Sequence, residues 1–203
     1  MLFFTFISFF LFLCDFSLSH SLRNLPTLGT LGLSDNRLTS VSICSLMDSV
    51  SLSSIMHIDL SKNCLSGKAS DAIAGLFRMK NNLSYLDLTE CALSSKQISK
   101  LFSTLQQNSV PNVLEYLNLS YNKIDVSSVQ TISTYLGSGR ICRIKSLNIS
   151  YSNIGTNGAS CLASSLARNW TLTHLNLSDT AIGDIGAQSI ASSLKAKQGI
   201  VVT

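Results

Sequence analysis

The sequence predicts an α/β solenoid, in which short parallel strands line a curved inner wall and helices form the outer one. Three observations carry that expectation. The frame L-x-x-L-x-L-x-x-N-x-L recurs six times, with substitutions. Its starts lie 27, 28, 31, 30 and 28 residues apart. Behind the frame, apolar residues return at helical spacing, clearest in the last two copies.

The six copies run in order along the chain. They are Leu28, Leu31, Leu33, Asn36, Leu38; Ile55, Ile58, Leu60, Asn63, Leu65; and Leu83, Leu86, Leu88, Cys91, Leu93. Then come Leu114, Leu117, Leu119, Asn122, Ile124; Ile144, Leu147, Ile149, Ser152, Ile154; and Leu172, Leu175, Leu177, Thr180, Ile182. Alternation in x-L-x-L-x turns the leucines inward and the intervening residues outward, which is the pattern of a short strand with one buried face. At the Asn position a small polar side chain is expected to bond to the turn backbone and to the neighbouring copy. Cys91, Ser152 and Thr180 are expected to do the same more weakly. The helical halves are marked by Ala159, Leu162, Ala163, Leu166 and by Ala187, Ile190, Ala191, Leu194, each set on one helix face. Gly155 and Gly183 loosen the turn before them. A copy of this size cannot cover its own apolar face, so the copies stack and each covers the next.

The array occupies residues 22–203, as six copies and a partial seventh that begins at Gly199-Ile200-Val201-Val202-Thr203. Stacked arrays end in polar caps, and the missing cap at this end predicts a fragment. Residues 1–21 stand apart. The apolar run from Leu2 to Leu13 is too short to span a bilayer as a helix. It resembles a secretory signal, with Ser17 and Ser19 before a cut site, yet has no Lys or Arg ahead of it. It reads equally as an apolar flank.

Charged residues make up 13% of the chain, about half the usual share, so the net charge of +4 is a weak guide to partners. No stretch concentrates enough Lys and Arg for a nucleic-acid track. Arg140, Arg143 and Lys145 read as a solvated connector. The six cysteines, Cys14, Cys44, Cys64, Cys91, Cys142 and Cys161, contain no C-x-x-C pair. They form neither a disulfide framework nor a zinc site, and read mostly as small buried side chains in a reducing compartment.

Three columns of outward residues are expected on the inner wall. The first is Thr30, His57, Tyr85, Tyr116, Ser146 and His174, and the second is Gly32, Asp59, Asp87, Asn118, Asn148 and Asn176. The third is Asp35, Lys62, Glu90, Tyr121, Tyr151 and Asp179. The residues expected to meet a protein partner are Tyr85, Asp87, Tyr116, Asn118, Tyr121, Asn148, Tyr151, His174 and Asn176. Tyrosine is enriched at binding surfaces because its ring buries much area at little rotamer cost, although it is also common on exposed sheets.

Catalysis is not expected. There is no phosphate-binding G-x-x-x-x-G-K-[ST] and no G-x-S-x-G nucleophile elbow. His57 and His174 lie four copies apart, on the order of 20 Å at the usual strand spacing. Asp59 and Asp87 are neighbours on an open wall without a catalytic partner. No cofactor, metal, nucleic acid or small-molecule substrate is implied, and a membrane contact by this segment is not expected. Five sequons occur, at Asn82, Asn118, Asn148, Asn169 and Asn176. Three arise from the repeated L-N-[LI]-S at the strand end, which leaves Asn82 and Asn169 as the better acceptors if the chain is secreted.

The frame is that of a leucine-rich repeat, and copies of this length with a full helix resemble the ribonuclease-inhibitor-like subtype. Ribonuclease inhibitor, the NOD-like receptors, tropomodulin and the Ran GTPase activators share it. SSIMHIDLSKNCLS, residues 53–66, and LTHLNLSDTAIGDIGAQSIASSL, residues 172–194, are most similar to the CARMIL family of actin capping-protein regulators. The resemblance implies a cytoplasmic scaffold at the cell cortex that docks a protein on its concave face. The family's membrane-binding, dimerisation and capping-protein-binding segments have no counterpart in these residues. A secreted repeat glycoprotein, and an enzyme inhibitor or GTPase regulator, are the alternatives.

Overall fold

The computed structural model describes residues 22, 27–79, 82–107, 112–139, 141–195 and 200–203. Among the described residues, seven strands pair in parallel in chain order. They are β1 (Thr30–Gly32), β2 (His57–Asp59), β3 (Tyr85–Asp87), β4 (Tyr116–Asn118), β5 (Ser146–Asn148), β6 (His174–Asn176) and β7 (Val201–Val202). Between them run α1 (Ser40–Ser51), α2 (Lys68–Met79), α3 (Ser95–Gln107), α4 (Val126–Leu136), α5 (Gly155–Leu166) and α6 (Gly183–Leu194), each packed on the next. The result is a solenoid with an inner parallel sheet and outer helices. Each strand of the six copies begins two residues after its L-x-x-L does and is cut short by the turn that follows it.

The frame leucines meet between sheet and helices. Leu31, Ile58, Leu86, Leu117, Leu147 and Leu175 are buried, one on each of β1 to β6, beneath apolar helix residues such as Ile43, Ile73, Ile98, Ile132 and Leu162. Burying apolar area of this kind is the main force that holds one copy to the next. Two of the largest buried rings, Phe102 and Tyr135, meet edge-on across α3 and α4 at 5.7 Å. The Tyr135 hydroxyl accepts from Asn112 Nδ2 at 3.2 Å, so the ring is buried without leaving its polar atom unpaired. Burial also raises the Tyr135 pKa above its ordinary value.

The turns after the strands show what the Asn position does. Asn122 Nδ2 donates to the carbonyls of Leu88, Leu119 and Ser120. Its Oδ1 accepts from the N–H groups of Cys91 and Leu93 in the preceding copy, at 3.2 and 2.9 Å. Asn63 repeats the pattern on Leu33, Leu60, Ser61, Asn36 and Leu38. Cys91 also reaches back, its thiol donating to the Leu60 carbonyl at 3.2 Å. Ser152 and Thr180 meet only half of the expectation, the bond to the turn backbone. Each hydroxyl donates only to a carbonyl of its own turn, Ile149 and Leu177 respectively, because it is too short to cross to the next copy.

Further expectations need correction. Ala159, Leu162, Ala163 and Leu166 are buried, but Ala187 and Ala191 are exposed. No helix beyond α6 covers that face among the described residues. Cys91 and Cys142 are buried, while Cys44 and Cys161 are half-buried and Cys64 is exposed, since it sits in a turn. Burial pushes the Cys91 thiol up to about 12 and raises that of Cys142, which leaves both protonated and unreactive. The readings made for residues 1–21, Cys14 included, lie outside the described residues, as does Arg140.

Candidate functional site

Parallel pairing in register sets the wall. His57, Tyr85, Tyr116, Ser146 and His174 are successive partners across the sheet, as are Asp59, Asp87, Asn118, Asn148 and Asn176. Each partner therefore lies about 4.8 Å from the next, so equal side chains in one column come into contact. Tyr85 and Tyr116 stack at 4.2 Å with ring planes 2° apart, and His57 meets Tyr85 edge-on at 5.8 Å. His57 and His174 stand on β2 and β6, with three strands between them.

The second column ends each strand with an Asx turn. Asp59 Oδ1 accepts from the Ser61 N–H, and Asp87 Oδ1 from the Thr89 N–H, both at 2.9 Å. Asn118, Asn148 and Asn176 make the same bond to Ser120, Ser150 and Ser178. This is the physical reason for the repeated N-x-S: an acceptor two residues before the turn amide closes the strand end. Asn118 Nδ2 also donates to Asp87 Oδ2 at 3.1 Å, joining two copies.

The third column lies past the strands, in the turns at the rim of the wall. All six of its residues have left-handed backbone: Asp35, Lys62, Glu90, Tyr121, Tyr151 and Asp179, with φ between 53° and 58°. Tyr121 and Tyr151 stack there at 4.0 Å and 12°. The four tyrosines thus form two pairs, one on the strands and one on the rim, and not a single cluster on the sheet. An open groove runs beside the rim pair, lined also by Lys96, Lys123, Asp125, Ser152 and Asn153.

Electrostatics follow from this placement. The Tyr85 hydroxyl is held well above its ordinary pKa, first by burial, then by Tyr116, Asp87 and Asp59. That of Tyr121 is raised first by its bond to Tyr151, with Asp179 and Glu90 adding to it. Both pairs of rings therefore stand within the field of carboxylates. Glu90 and Asp179, neighbours of the rim pair in its own column, are the residues that reading the sequence did not single out. Their signal was their place in the column.

Asn169 corrects the sequon reading. It is buried at 1% exposure, donates to the Leu136 carbonyl and accepts from the amides of Thr171 and Leu172. It locks a helix-to-strand connector and offers no nitrogen to a glycan. Asn82 is half-buried. On the same connector edge Trp170 is 82% exposed, and Lys145 pairs with Glu115 at 2.7 Å.

Among the described residues no group of His, Cys, Asp and Glu could hold a metal ion, and no helix is long and apolar enough to cross a membrane. A model of the leucine-rich repeat family matches residues 110–133, 142–163 and 168–191, which are the fourth to sixth copies. No curated protein matches in sequence. Among solved structures, the tropomodulin C-terminal domain of Caenorhabditis elegans is similar, with a TM-score of 0.53 at 12% identity. That match covers 87% of this chain and 91% of the other. From the repeated frame, the in-register sheet and these matches, the fold is a leucine-rich repeat solenoid.

Proposed function

We propose that the chain is a protein-interaction scaffold that docks a protein partner on its concave wall and catalyses nothing. The observation that carries this reading is the rim pair. Tyr121 and Tyr151 are 51% and 46% exposed, and both sit in left-handed backbone that a bulky side chain adopts only at a cost. Folding would be served there by glycine or asparagine. Two large rings held in that conformation toward solvent are better accounted for by a surface that they cover on binding. The contact residues are Tyr85, Asp87, Tyr116, Asn118, Tyr121, Asn148, Tyr151, His174 and Asn176.

The CARMIL-like segments at residues 53–66 and 172–194 support a place in an actin-cytoskeleton regulator at the cell cortex. The sequon geometry supports the cytoplasm over secretion. Asn118 and Asn169 commit the nitrogen that would carry a glycan, to the Asp87 carboxylate and the Leu136 carbonyl, while Asn148 and Asn176 use their oxygens on turn amides. A tagged chain expressed in animal cells and run on a gel before and after glycan removal tests the compartment; a downward shift overturns the cytoplasmic reading.

Photo-crosslinking tests the wall itself. A crosslinking residue at Ser146, in the first column beside Tyr116, is expected to give adducts with another protein. The same residue at Ser164, on the outer face of α5, is not. Tyr116→Ala with Tyr121→Ala should weaken the Ser146 adduct without lowering the melting temperature. Adducts from Ser164 and none from Ser146 would move the interface to the helices.

A further inference from the structure

The three columns segregate charge. They hold five of the chain's eleven acidic residues, Asp35, Asp59, Asp87, Glu90 and Asp179, and one of its fifteen basic residues, Lys62. A wall with a net of four negative charges thus stands in a chain of net +4. The other bases lie off the three columns; Lys96 and Lys123 line the groove beside the rim pair.

Folding does not ask for this charge. The second column needs only an acceptor for the turn amide two residues on, and Asn118, Asn148 and Asn176 supply it without a charge. Asp59 and Asp87 do the same task with one oxygen each, and the second oxygen of Asp87 accepts from the Asn118 amide. They are also register partners, so two like charges face each other on neighbouring strands, which is unfavourable. Their second feature in common is position. Both add to the field on Tyr85, in the strand pair of rings, while Glu90 and Asp179 add to the field on Tyr121, in the rim pair. Ring faces beside carboxylates are the complement of a cation carried on an apolar stem.

Resting on the reading of the concave wall as the docking face, we infer that its partner presents a positively charged segment, whose arginine or lysine side chains lie against the two tyrosine pairs and pair with Asp59, Asp87, Glu90 and Asp179. Arginine suits the site best, since its planar head can lie on a ring while its edge donates to a carboxylate.

The probe is a short fluorescent peptide of alternating arginine and serine, with its glutamate and serine counterpart, read by anisotropy on the full chain across a salt series. The arginine peptide should bind and weaken steeply with salt, and the glutamate peptide should not bind. Asp59→Asn with Asp87→Asn keeps both turn acceptors but gives up the Asn118 bond to the second Asp87 oxygen, so an unchanged melting temperature is required of it; it should weaken the arginine peptide by about tenfold. Asp48→Asn with Asp184→Asn, the same charge change on α1 and α6, should leave binding as it was. Equal binding by the Asp59→Asn/Asp87→Asn chain, or binding of the glutamate peptide, overturns the inference. Crosslinks from Ser146 without arginine-peptide binding would sink only the charge of the partner; the absence of both would sink the wall as well.

Discussion

The fourth copy and the two that follow it close their turns by different means. In the fourth, Asn122 spans two turns with five bonds, and Asp125 begins α4 with a capping box, its carboxylate accepting from the Ser127 and Ser128 amides. In the fifth and sixth, the Ser152 and Thr180 hydroxyls bond only within their own turns, and α5 and α6 start with no side-chain cap. Glycine takes over there. Gly155 and Gly183 open the helices at φ 66° and 61°, and the Gly155 N–H donates to the Thr180 carbonyl across the copies. Gly186 lets α6 settle on α5, since a Cβ on it would lie 2.8 Å from that of Ala159. One frame is thus held by side-chain bonds in one region and by backbone and close approach in the other.

The largest test of that difference is the turn position. Asn122→Ala removes buried bonds and leaves the Cys91 and Leu93 amides without their acceptor, which should cost about 3 kcal/mol. Ser152→Ala, one copy later, should cost under about 1 kcal/mol. Urea unfolding followed by circular dichroism gives both numbers, and equal losses would break the comparison. Next comes the helix contact. Gly186→Ala forces its new Cβ against Ala159 and Ile182 and should cost about 1–3 kcal/mol. Gly75→Ala in α2 meets nothing within 4 Å and should gain about 0.5–1 kcal/mol. Opposite signs for one substitution would place the tight packing where α5 meets α6.

The fold was legible because leucine spacing carries it. The period put the strands in register, and the first two columns written from it are ladders of the sheet. What spacing does not carry is reach. Whether a serine or threonine crosses to the next copy depends on one bond length, which Ser152 and Thr180 lack. Nor does it carry context: Asn169 reads as a surface sequon until the connector folds over it, and Ala187 reads as core although no helix among the described residues covers that face of α6. The wall was legible as columns, but not its split into strand and rim. The left-handed backbone at Tyr121 and Tyr151 has no sequence signal, since glycine, its usual mark, is absent from that column.

A smaller effect separates the helix starts. Asp125→Ala should cost about 1 kcal/mol, with no counterpart at Ile154 or Ile182, whose positions carry no side-chain cap. The effect has a pH signature. Hydrogen bonds from Ser127 and Ser128 lower the Asp125 pKa from 3.8 to about 2. A folded pKa below the unfolded one stabilises above the unfolded value and is lost as pH falls through the folded value. The gap in urea midpoint between parent and Asp125→Ala should therefore be full at pH 5 and nearly closed by pH 2. A gap that persists at pH 2 would assign the stabilisation to something other than the charged cap.

The smallest expected effect tests what bridges the two regions. Tyr121 belongs to the fourth copy and Tyr151 to the fifth, and their stack crosses the point where the closing device changes. Replacing both by glycine relieves two strained left-handed backbones and loses one exposed stack, two terms of opposite sign. The melting temperature should stay near that of the parent, while adducts from Ser146 fall. A large drop in melting temperature would make the stack a structural tie between the copies. It would then remove the main reason for reading the rim as a surface kept for a partner.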